Sequence, residues 1–236
     1  MTPVAFFVTG TDTDAGKTLI ASSLLHVARA RGLTTVAGKP VASGSERTSH
    51  GLRNADALAL QTQCDPPLTY AAVNPRAFEP AIAPHIAARE AGVELSVASL
   101  AAPMQALLAQ KADLTLIEGA GGWRVPISDD ASLCELAVAL KLPVILVVGV
   151  RLGAINHARL TLEAIERDGL SVAGWVANVI DDRTARLADN LATLEHWLTD
   201  RGSIPCLGVV PHLSDPTPDR VGACLDLDLL LEPHER

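Results

Sequence analysis

The sequence predicts an α/β fold in which one mostly parallel β-sheet carries helices on both faces. Short apolar runs that end in glycine or polar residues alternate with longer stretches of helical periodicity along the whole chain. The composition is 48% hydrophobic but only 3% aromatic, so Ala, Val, Leu and Ile must fill the core, as in layered α/β proteins. A chain of 236 residues fits one medium domain, and we expect residues 1–236 to form a single domain.

Charge, cysteine spacing and hydropathy argue against several classes of function. The formal net charge of −8 disfavours a general nucleic-acid or anionic-membrane surface. The N-terminus has no basic region or cleavage site, and no apolar run approaches the roughly 18 residues of a membrane span. Seven histidines show no HxxxH pattern. We therefore expect a soluble, cytoplasmic protein without nucleic-acid or membrane partners, whose buried free thiols are Cys64, Cys134, Cys206 and Cys224.

A phosphate-binding loop is predicted near the N-terminus. Residues 6–22 read FFVTGTDTDAGKTLIAS, which is typical of a strand, a loop of small and polar residues, and the start of a helix. In such a loop several backbone N–H groups point inward, and the positive end of the helix dipole adds to them. Lys17 is expected to reach the β- and γ-phosphates, and the Thr18 hydroxyl to ligate Mg²⁺.

The glycine spacing of this loop departs from the usual pattern. Five residues separate Gly10 from Gly16, whereas the common motif has four. Either the loop starts one residue early, or Thr11 replaces the first glycine. The plain alternative is an ordinary strand-to-helix turn, but the strand and helix on either side favour the phosphate loop.

Lysine is scarce in this chain, and its placement is informative. Two of the four lysines, Lys17 and Lys39, directly follow a glycine, and Lys39 opens a loop after the predicted strand 33–38. Ligands of open α/β sheets bind at the carboxyl ends of strands. Lys39 and Ser43 are therefore expected in a shaped loop near phosphate, although a solvated loop charge remains the alternative for Lys39.

Two acidic residues occupy positions that suit a metal or phosphate contact. Asn54 is a plausible N-cap, and Asp56 follows in the first turn of its helix, where the helix dipole alone already favours an acid. Glu118 ends the predicted strand 114–117 and precedes a glycine-rich turn. The Pro- and Ala-rich stretch 64–85 is expected to pass over the active face as an ordered excursion.

The remaining elements follow from periodicity. The apolar run 143–150 is expected in the centre of the sheet because both of its faces are apolar. Trp175 and Trp197 are expected in the core, and residues 225–231 to pack back onto it. Further strands are predicted at 172–179 and 206–210, and helices at 17–31, 96–110, 132–141, from the 151–157 loop to about 168, and at 184–199.

Seven motifs occur together and in order along the chain: GTDTDAGKT, GKPVASGSE, GLRNADALAL, VNP, EGAGGW, PVILVVGVRLGAINHA and AGWVAN. Their combination, from Val8 to about Pro211, resembles dethiobiotin synthetase, a P-loop NTPase-like, ATP-dependent cyclo-ligase of biotin biosynthesis. The resemblance implies a homodimer with substrate near the interface. It also implies that 7,8-diaminononanoate, CO₂, ATP and Mg²⁺ combine to give dethiobiotin, ADP and phosphate.

The resemblance also implies roles for individual residues. Lys17 and Lys39 correspond to the catalytic, phosphate-handling lysines, and Thr18, Asp56 and Glu118 to the magnesium ligands. Substrate positions are Ser43, Gly121, Gly153 and Asn156, with the substrate carboxylate at the helix that follows Gly153. Nucleotide positions are Thr13, Asp14, Ala15, Gly16, Lys17, Thr18, Asp56, Glu118, Gly119, Ala120 and Gly121, with Asn178, Pro211, His212 and Leu213 at the purine.

Two other functions and a guanine nucleotide are alternatives to this interpretation. A switch ATPase of the partitioning or nitrogenase-reductase kind usually carries an extra lysine early in the loop, where this chain has Gly10-Thr11-Asp12. A corrinoid amide synthetase would need an appended glutaminase domain. The stretch from Asn178 to Asp181 is similar to a guanine-reading pattern, although ATP is expected. Two family positions also differ, because this chain has Asn190 for a tyrosine and Pro218 for an acid.

Overall fold

The computed structural model describes residues 2–231. A six-stranded sheet forms the centre of the fold, in the order β2-β5-β1-β6-β7-β8, and all of its pairings are parallel. The predicted α/β class with a mostly parallel sheet is confirmed. The strands are β1 Val4–Gly10, β2 Thr35–Gly38, β3 Glu46–Thr48, β4 Gly51–Arg53, β5 Leu114–Glu118, β6 Val144–Val150, β7 Val172–Val179 and β8 Cys206–Val210.

Helices cover both faces of this sheet. Phe6 and Val8 of β1 pack on the face that holds α1, whereas Phe7 points into the opposite cluster, as the two-residue period of a strand requires. The helices are α1 Lys17–Ala30, α2 Ala55–Gln61, α3 Tyr70–Val73, α4 Pro84–Glu90, α5 Val97–Leu108, α6 Cys134–Leu140, α7 Ala154–Arg167, α8 Leu187–Glu195, α9 Pro218–Gly222 and α10 Asp228–Leu231.

The predicted central strand is confirmed. Every residue of β6 is buried, and the strand lies between β1 and β7. The C-terminal stretch also packs back as predicted, since Leu225, Leu227 and Leu230 are buried in the core cluster around α1. No helix within residues 2–231 is long and apolar enough to cross a membrane.

Two predictions about side-chain burial are wrong. Trp197 lies outside the core, half-buried in the π-helical turn His196–Asp200, with the guanidinium groups of Arg159 and Arg201 at 3.8 and 4.2 Å from its ring centre. Cation–π contact therefore replaces the expected core packing, whereas Trp175 is buried as predicted. Cys206 and Cys224 are partly exposed, so burial holds only for the other two cysteines.

Several short elements were not predicted from sequence. The hairpin of β3 and β4 has only exposed or half-exposed residues and no apolar alternation. Helices α3 and α4 interrupt the expected excursion at 64–85 and have four and seven residues. Elements this short carry too little periodicity to be recognised against a Pro-rich background.

Candidate active site

The loop between β1 and α1 has the backbone geometry of an anion cradle. Asp14 and Gly16 take left-handed conformations, with φ of 60° and 92°, which turn the chain sharply into the helix. The Lys17 ammonium donates to the carbonyl of Asp12 at 3.0 Å. Burial lowers the pKa of Lys17, and the ammonium of Lys39 lowers this pKa further, against the opposing pull of Glu118.

Contacts with the end of β6 and with the residue that follows it hold this loop in place. The Thr11 hydroxyl accepts from the N–H of Gly149 at 3.2 Å, and Arg151 forms an ion pair with Asp12 at 2.6 Å. Thr11 has no positive φ, so its backbone needs no glycine. A threonine therefore replaces the glycine of the common pattern without strain.

A buried charge cluster lies beside the loop. Lys39 follows β2 and Glu118 ends β5, so the parallel register brings both to the same edge of the sheet. Lys39 and Glu118 are 3% and 0% exposed, and Nζ lies 2.5 Å from Oε1. Asp56 pairs with the same ammonium at 3.1 Å, and the Thr18 hydroxyl donates to Glu118 Oε1 at 2.8 Å.

This cluster leaves one carboxylate oxygen free. Burial alone would lower the pKa of Lys39, but the Glu118 and Asp56 carboxylates outweigh it and raise that pKa, so the ammonium stays charged. Glu118 Oε2 is buried without a hydrogen-bond partner. A buried carboxylate oxygen with no donor fits a hard cation, which would complete its coordination.

A cavity of about 810 Å³ opens over the loop and the cluster. It is large enough for a nucleotide together with a small second substrate. Its lining combines most of the residues predicted for phosphate and metal with apolar residues. Its lining comprises Thr13, Asp14, Gly16, Lys17, Thr18, Leu19, Lys39, Ala42, Ser43, Asp56, Ala81, Ile82, Ala83, Pro84, Glu118, Ala120, Gly121, Arg124, Val125 and Pro126.

Comparison with known proteins identifies the family. A model of the family described as AAA domain matches residues 4–220. The ATP-dependent dethiobiotin synthetase BioD of Pseudomonas aeruginosa is 63% identical over 94% of this chain and 96% of its own length. Its namesake from Cellvibrio japonicus is 56% identical over 98% of this chain and 100% of its own.

The chain belongs to the dethiobiotin synthetase family. Its fold also resembles solved structures of lower identity. Chloroplast FtsY from Physcomitrella patens aligns with a TM-score of 0.51 at 14% identity, over 97% of this chain and 64% of that one. FtsY from Elizabethkingia anophelis, in complex with GDP, aligns with a TM-score of 0.51 at 15% identity, over 99% and 65%. This chain thus spans about two thirds of those chains, and the likeness shows the P-loop NTPase fold alone.

A second, smaller pocket is lined by the residues that the family resemblance assigned to the purine. It measures about 180 Å³ and shares Leu19 with the large cavity. Its lining is Leu19, Asn178, Val179, Ile180, Val210, Pro211, His212, Leu213 and Pro216. Asp181 is not among them, and its carboxylate pairs with Arg183 at 3.1 Å on the surface.

Two residues predicted for the nucleotide of this synthetase lie behind the cavity rather than in its lining. Ala15 is 1% exposed, and its carbonyl accepts from Asn178 Nδ2 at 3.0 Å. Gly119 packs against the ring of Phe7, where a Cβ would lie 3.1 Å from the ring. Both positions shape the backbone, and neither presents a side chain.

The structure does not bring Gly153 and Asn156 into the cavity. Gly153 precedes α7 with a φ of 95°, and Asn156 is exposed in the first turn of that helix. Leu152 beside them is 95% exposed. The predicted contact with the substrate carboxylate therefore stays a prediction.

Most of the apolar lining and one cation were not predicted from sequence. Arg124 lines the cavity while its guanidinium donates to Asp168 at 2.8 Å. Its position directly after EGAGGW was the available signal. Residues 81–84 also line the cavity, which confirms that the end of the predicted excursion reaches the site. No chemical motif marks that stretch.

Proposed function

We propose that this chain is an ATP-dependent dethiobiotin synthetase that acts on 7,8-diaminononanoate and CO₂. One amine captures CO₂ as a carbamate, the carbamate oxygen attacks the γ-phosphate, and ADP leaves. The second amine then attacks the carbamoyl carbon, phosphate is expelled, and the ureido ring closes. The protein needs no nucleophilic side chain for this sequence.

The observation that carries the proposal is the cluster beside the phosphate loop, in which Asp56 and Thr18 contact the buried pair Lys39 and Glu118. A carbamate anion that approaches a triphosphate meets strong charge repulsion. Ammonium groups fixed in a dry site offset that repulsion without reorganising during the reaction. Lys17 and Lys39 are the cavity-lining lysines, and ion pairing holds Lys39 in place before any substrate binds.

The resident metal in this proposal is Mg²⁺, held by Thr18, Asp56 and Glu118. Among residues 2–231 no group of three or more His, Cys, Asp or Glu side chains could hold a metal. Two carboxylates and a hydroxyl suit Mg²⁺, because this ion keeps several waters and takes further oxygens from phosphate. When bound, it would neutralise phosphate charge.

The substrates divide between the two ends of the site. The phosphate loop, from Thr13 to Thr18, and the turn from Glu118 to Gly121 would hold the phosphates. The smaller pocket with Asn178 and Pro211 to Leu213 would hold adenine. Ser43, whose buried hydroxyl has no hydrogen-bond partner, would contact the diamine together with Gly121.

The remaining part of the proposal concerns assembly and location. We expect a cytoplasmic homodimer of single-domain chains in which Gly153 and Asn156 of one protomer receive the carboxylate of a substrate near the interface. The exposure of these residues and of Leu152 supports this arrangement, because a second protomer can reach them.

The test is a coupled assay. Purified protein receives ATP, Mg²⁺ and bicarbonate with and without 7,8-diaminononanoate, while phosphate release is measured and dethiobiotin is followed by mass. We expect one dethiobiotin for each phosphate, and only with the diamine present. Diamine-independent hydrolysis without a ring product would favour a switch ATPase instead. A parallel series with GTP tests the base preference, for which ATP is expected.

A further inference from the structure

The loop 39–45, here called the lysine loop, carries Lys39 and Ser43 to the cavity. Its backbone is paired with a neighbouring segment. The N–H of Lys39 donates to the carbonyl of Val73 at 2.7 Å, and the N–H of Ala42 donates to the carbonyl of Arg76 at 2.8 Å. Much of the loop's position is therefore set by the last residue of α3 and by the residues that follow this helix.

Two asparagine side chains hold the ends of the part of this loop that faces the cavity. Asn74 Nδ2 donates to the carbonyl of Lys39 at 2.6 Å, and Asn54 Nδ2 donates to the carbonyl of Ser43 at 3.1 Å. Asn54 Oδ1 also accepts from the N–H of Ala57 as the N-cap of α2. One side chain thus connects the lysine loop to the helix that bears Asp56.

The Tyr70 hydroxyl joins the two asparagines. It accepts from the backbone N–H of Asn54 at 2.8 Å and donates to Asn74 Oδ1 at 2.9 Å. Because the hydroxyl occupies the oxygen of this amide, the amide nitrogen must face the carbonyl of Lys39. Asn74 Nδ2 also donates to the carbonyl of Arg76 at 3.3 Å. Without the hydroxyl, the amide keeps its nitrogen contacts but loses the one contact that holds its oxygen.

The position of Tyr70 is itself well determined. Its carbonyl accepts from the N–H of Asn74 at 2.7 Å, one helical turn later, so both residues lie on the same side of α3. The guanidinium of Arg53 lies 4.2 Å from the ring centre. Burial raises the pKa of Tyr70 above its ordinary value, so at neutral pH the hydroxyl keeps its proton and can donate.

We propose that Tyr70 is a positioning residue, which ties Asn54 to Asn74 and so aims Lys39 and Ser43 into the cavity. This inference rests on the proposed function, in which Lys39 contacts phosphate and Ser43 contacts the diamine. Tyr70 does not line the cavity and touches neither substrate there. Its effect on the reaction passes through the lysine loop.

The test compares two variants that each remove one hydroxyl. Tyr70→Phe deletes one accepted and one donated hydrogen bond. Thr199→Val does the same at the other edge of the sheet, where the Thr199 hydroxyl donates to the carbonyl of Ile204 at 2.8 Å and accepts from Trp175 Nε1 at 3.0 Å. The matched pair separates lost stability from lost positioning.

We expect Tyr70→Phe to lower kcat by about 10-fold while KM for ATP changes by less than about 2-fold, since the hydrogen bonds of the hydroxyl with Asn54 and Asn74 are lost and the phosphate loop is untouched. Thr199→Val should leave both constants unchanged at a similar loss of thermal stability. Amide hydrogen exchange at Ala42 and Ser45 should accelerate only in Tyr70→Phe. Wild-type kcat and unchanged exchange in that variant would overturn the inference.

A double variant checks the route of the effect. If Tyr70 acts through Asn74, Tyr70→Phe should add nothing to the loss of kcat in Asn74→Ala, and additive losses would contradict the inference.

Should Tyr70→Phe fail to fold, Asn54→Ser retains the helix cap but loses the contact to Ser43, and it must then show the same split between kcat and KM for ATP. Wild-type protein that makes no dethiobiotin would refute the proposed function instead, while the exchange comparison would still test the positioning.

Discussion

Two helices of this fold begin in the same way. Helices α1 and α7 each have 14 residues and follow β1 and β6, which are neighbours in the sheet. Gly16 and Gly153 precede them with φ of 92° and 95°. Neither helix has a side-chain cap or an acid in its first turn, so each presents the positive end of its dipole. In α7 the N–H of Ala154 donates to the carbonyl of Arg151.

The surroundings of the two glycines differ. A Cβ on Gly16 would lie 2.1 Å from Asn178 Nδ2, whereas a Cβ on Gly153 would meet nothing within 4 Å. The first helix start is enclosed by buried lysines and by Asn178, and the second lies beside the fully exposed Leu152. The backbone alone thus makes an anion site possible, and the enclosing side chains complete it. At Gly153 the described part of the chain provides no comparable enclosure.

The largest loss of activity should come from a substitution beside the enclosed start of α1. Lys39→Ala is expected to lower kcat by about 100-fold or more, because a preorganised charge is lost from the transition state. Steady-state assays of dethiobiotin formation measure it. Lys111→Ala, at an exposed lysine, is the control and should keep wild-type kcat. Unchanged turnover in Lys39→Ala would remove Lys39 from the site.

Removing Lys39 also leaves Glu118 as an unpaired buried charge, which costs stability. The double variant Lys39→Ala/Glu118→Gln removes that charge as well. We expect its thermal unfolding temperature to lie above that of Lys39→Ala, while its turnover remains low. Turnover that recovered together with stability would show that Lys39 acts only in folding.

A smaller effect is expected at the metal ligands. Glu118→Gln should raise the Mg²⁺ concentration for half-maximal activity by about 10-fold or more, because the buried oxygen that fits the cation loses its charge. Asp56→Ala should act in the same direction but less, since its side chain is 48% exposed. Glu79→Gln, which removes a surface carboxylate paired with Arg47, should leave the titration unchanged. A Mg²⁺ titration identical in all three variants would exclude both acids as ligands.

Much of this site was predictable because strand ends, glycines and charged residues have local signatures. Lys39 and Glu118 were placed at strand ends from sequence, and the parallel register then brings them together. The direct contact between them was not predictable, since it depends on side-chain directions across 79 residues of chain. Asn54 was predicted as a helix cap, but its second bond to Ser43 involves a loop that no periodicity describes.

The wrong prediction for Trp197 has a physical reason. The helical pattern places Trp197 on the apolar face, but α8 gives way to a π-helical turn at His196, which changes the direction of the side chains that follow. The open surroundings of Gly153 were also not predictable from the sequence, because α1 and α7 both begin after a glycine and have similar helical patterns. Whether a helix start is enclosed depends on residues that are distant in the sequence, as Asn178 is from Gly16.

The smallest expected effect is the difference in stability between alanine variants of the two glycines that precede α1 and α7. Ala at either glycine must adopt a left-handed φ, at a cost of about 1–2 kcal/mol. Gly16→Ala must in addition displace Asn178, whose side chain is nearly buried and bonded to the carbonyl of Ala15, so it should cost about 1 kcal/mol more. Denaturant unfolding of Gly16→Ala and Gly153→Ala measures the difference.

The identity of the enclosing side chain can be tested in the same way. In an Asn178→Ala background the clash is gone, so Gly16→Ala should lower the free energy of unfolding by no more than Gly153→Ala does. The coupling energy between positions 16 and 178 should then equal the difference between the two glycine variants in the wild-type background. Equal costs of the two glycine variants in the wild-type background would mean that α7 is covered in solution as tightly as α1. Repeating the unfolding of Gly153→Ala at several protein concentrations then shows what covers it, because a second protomer makes the cost depend on concentration and a single chain does not.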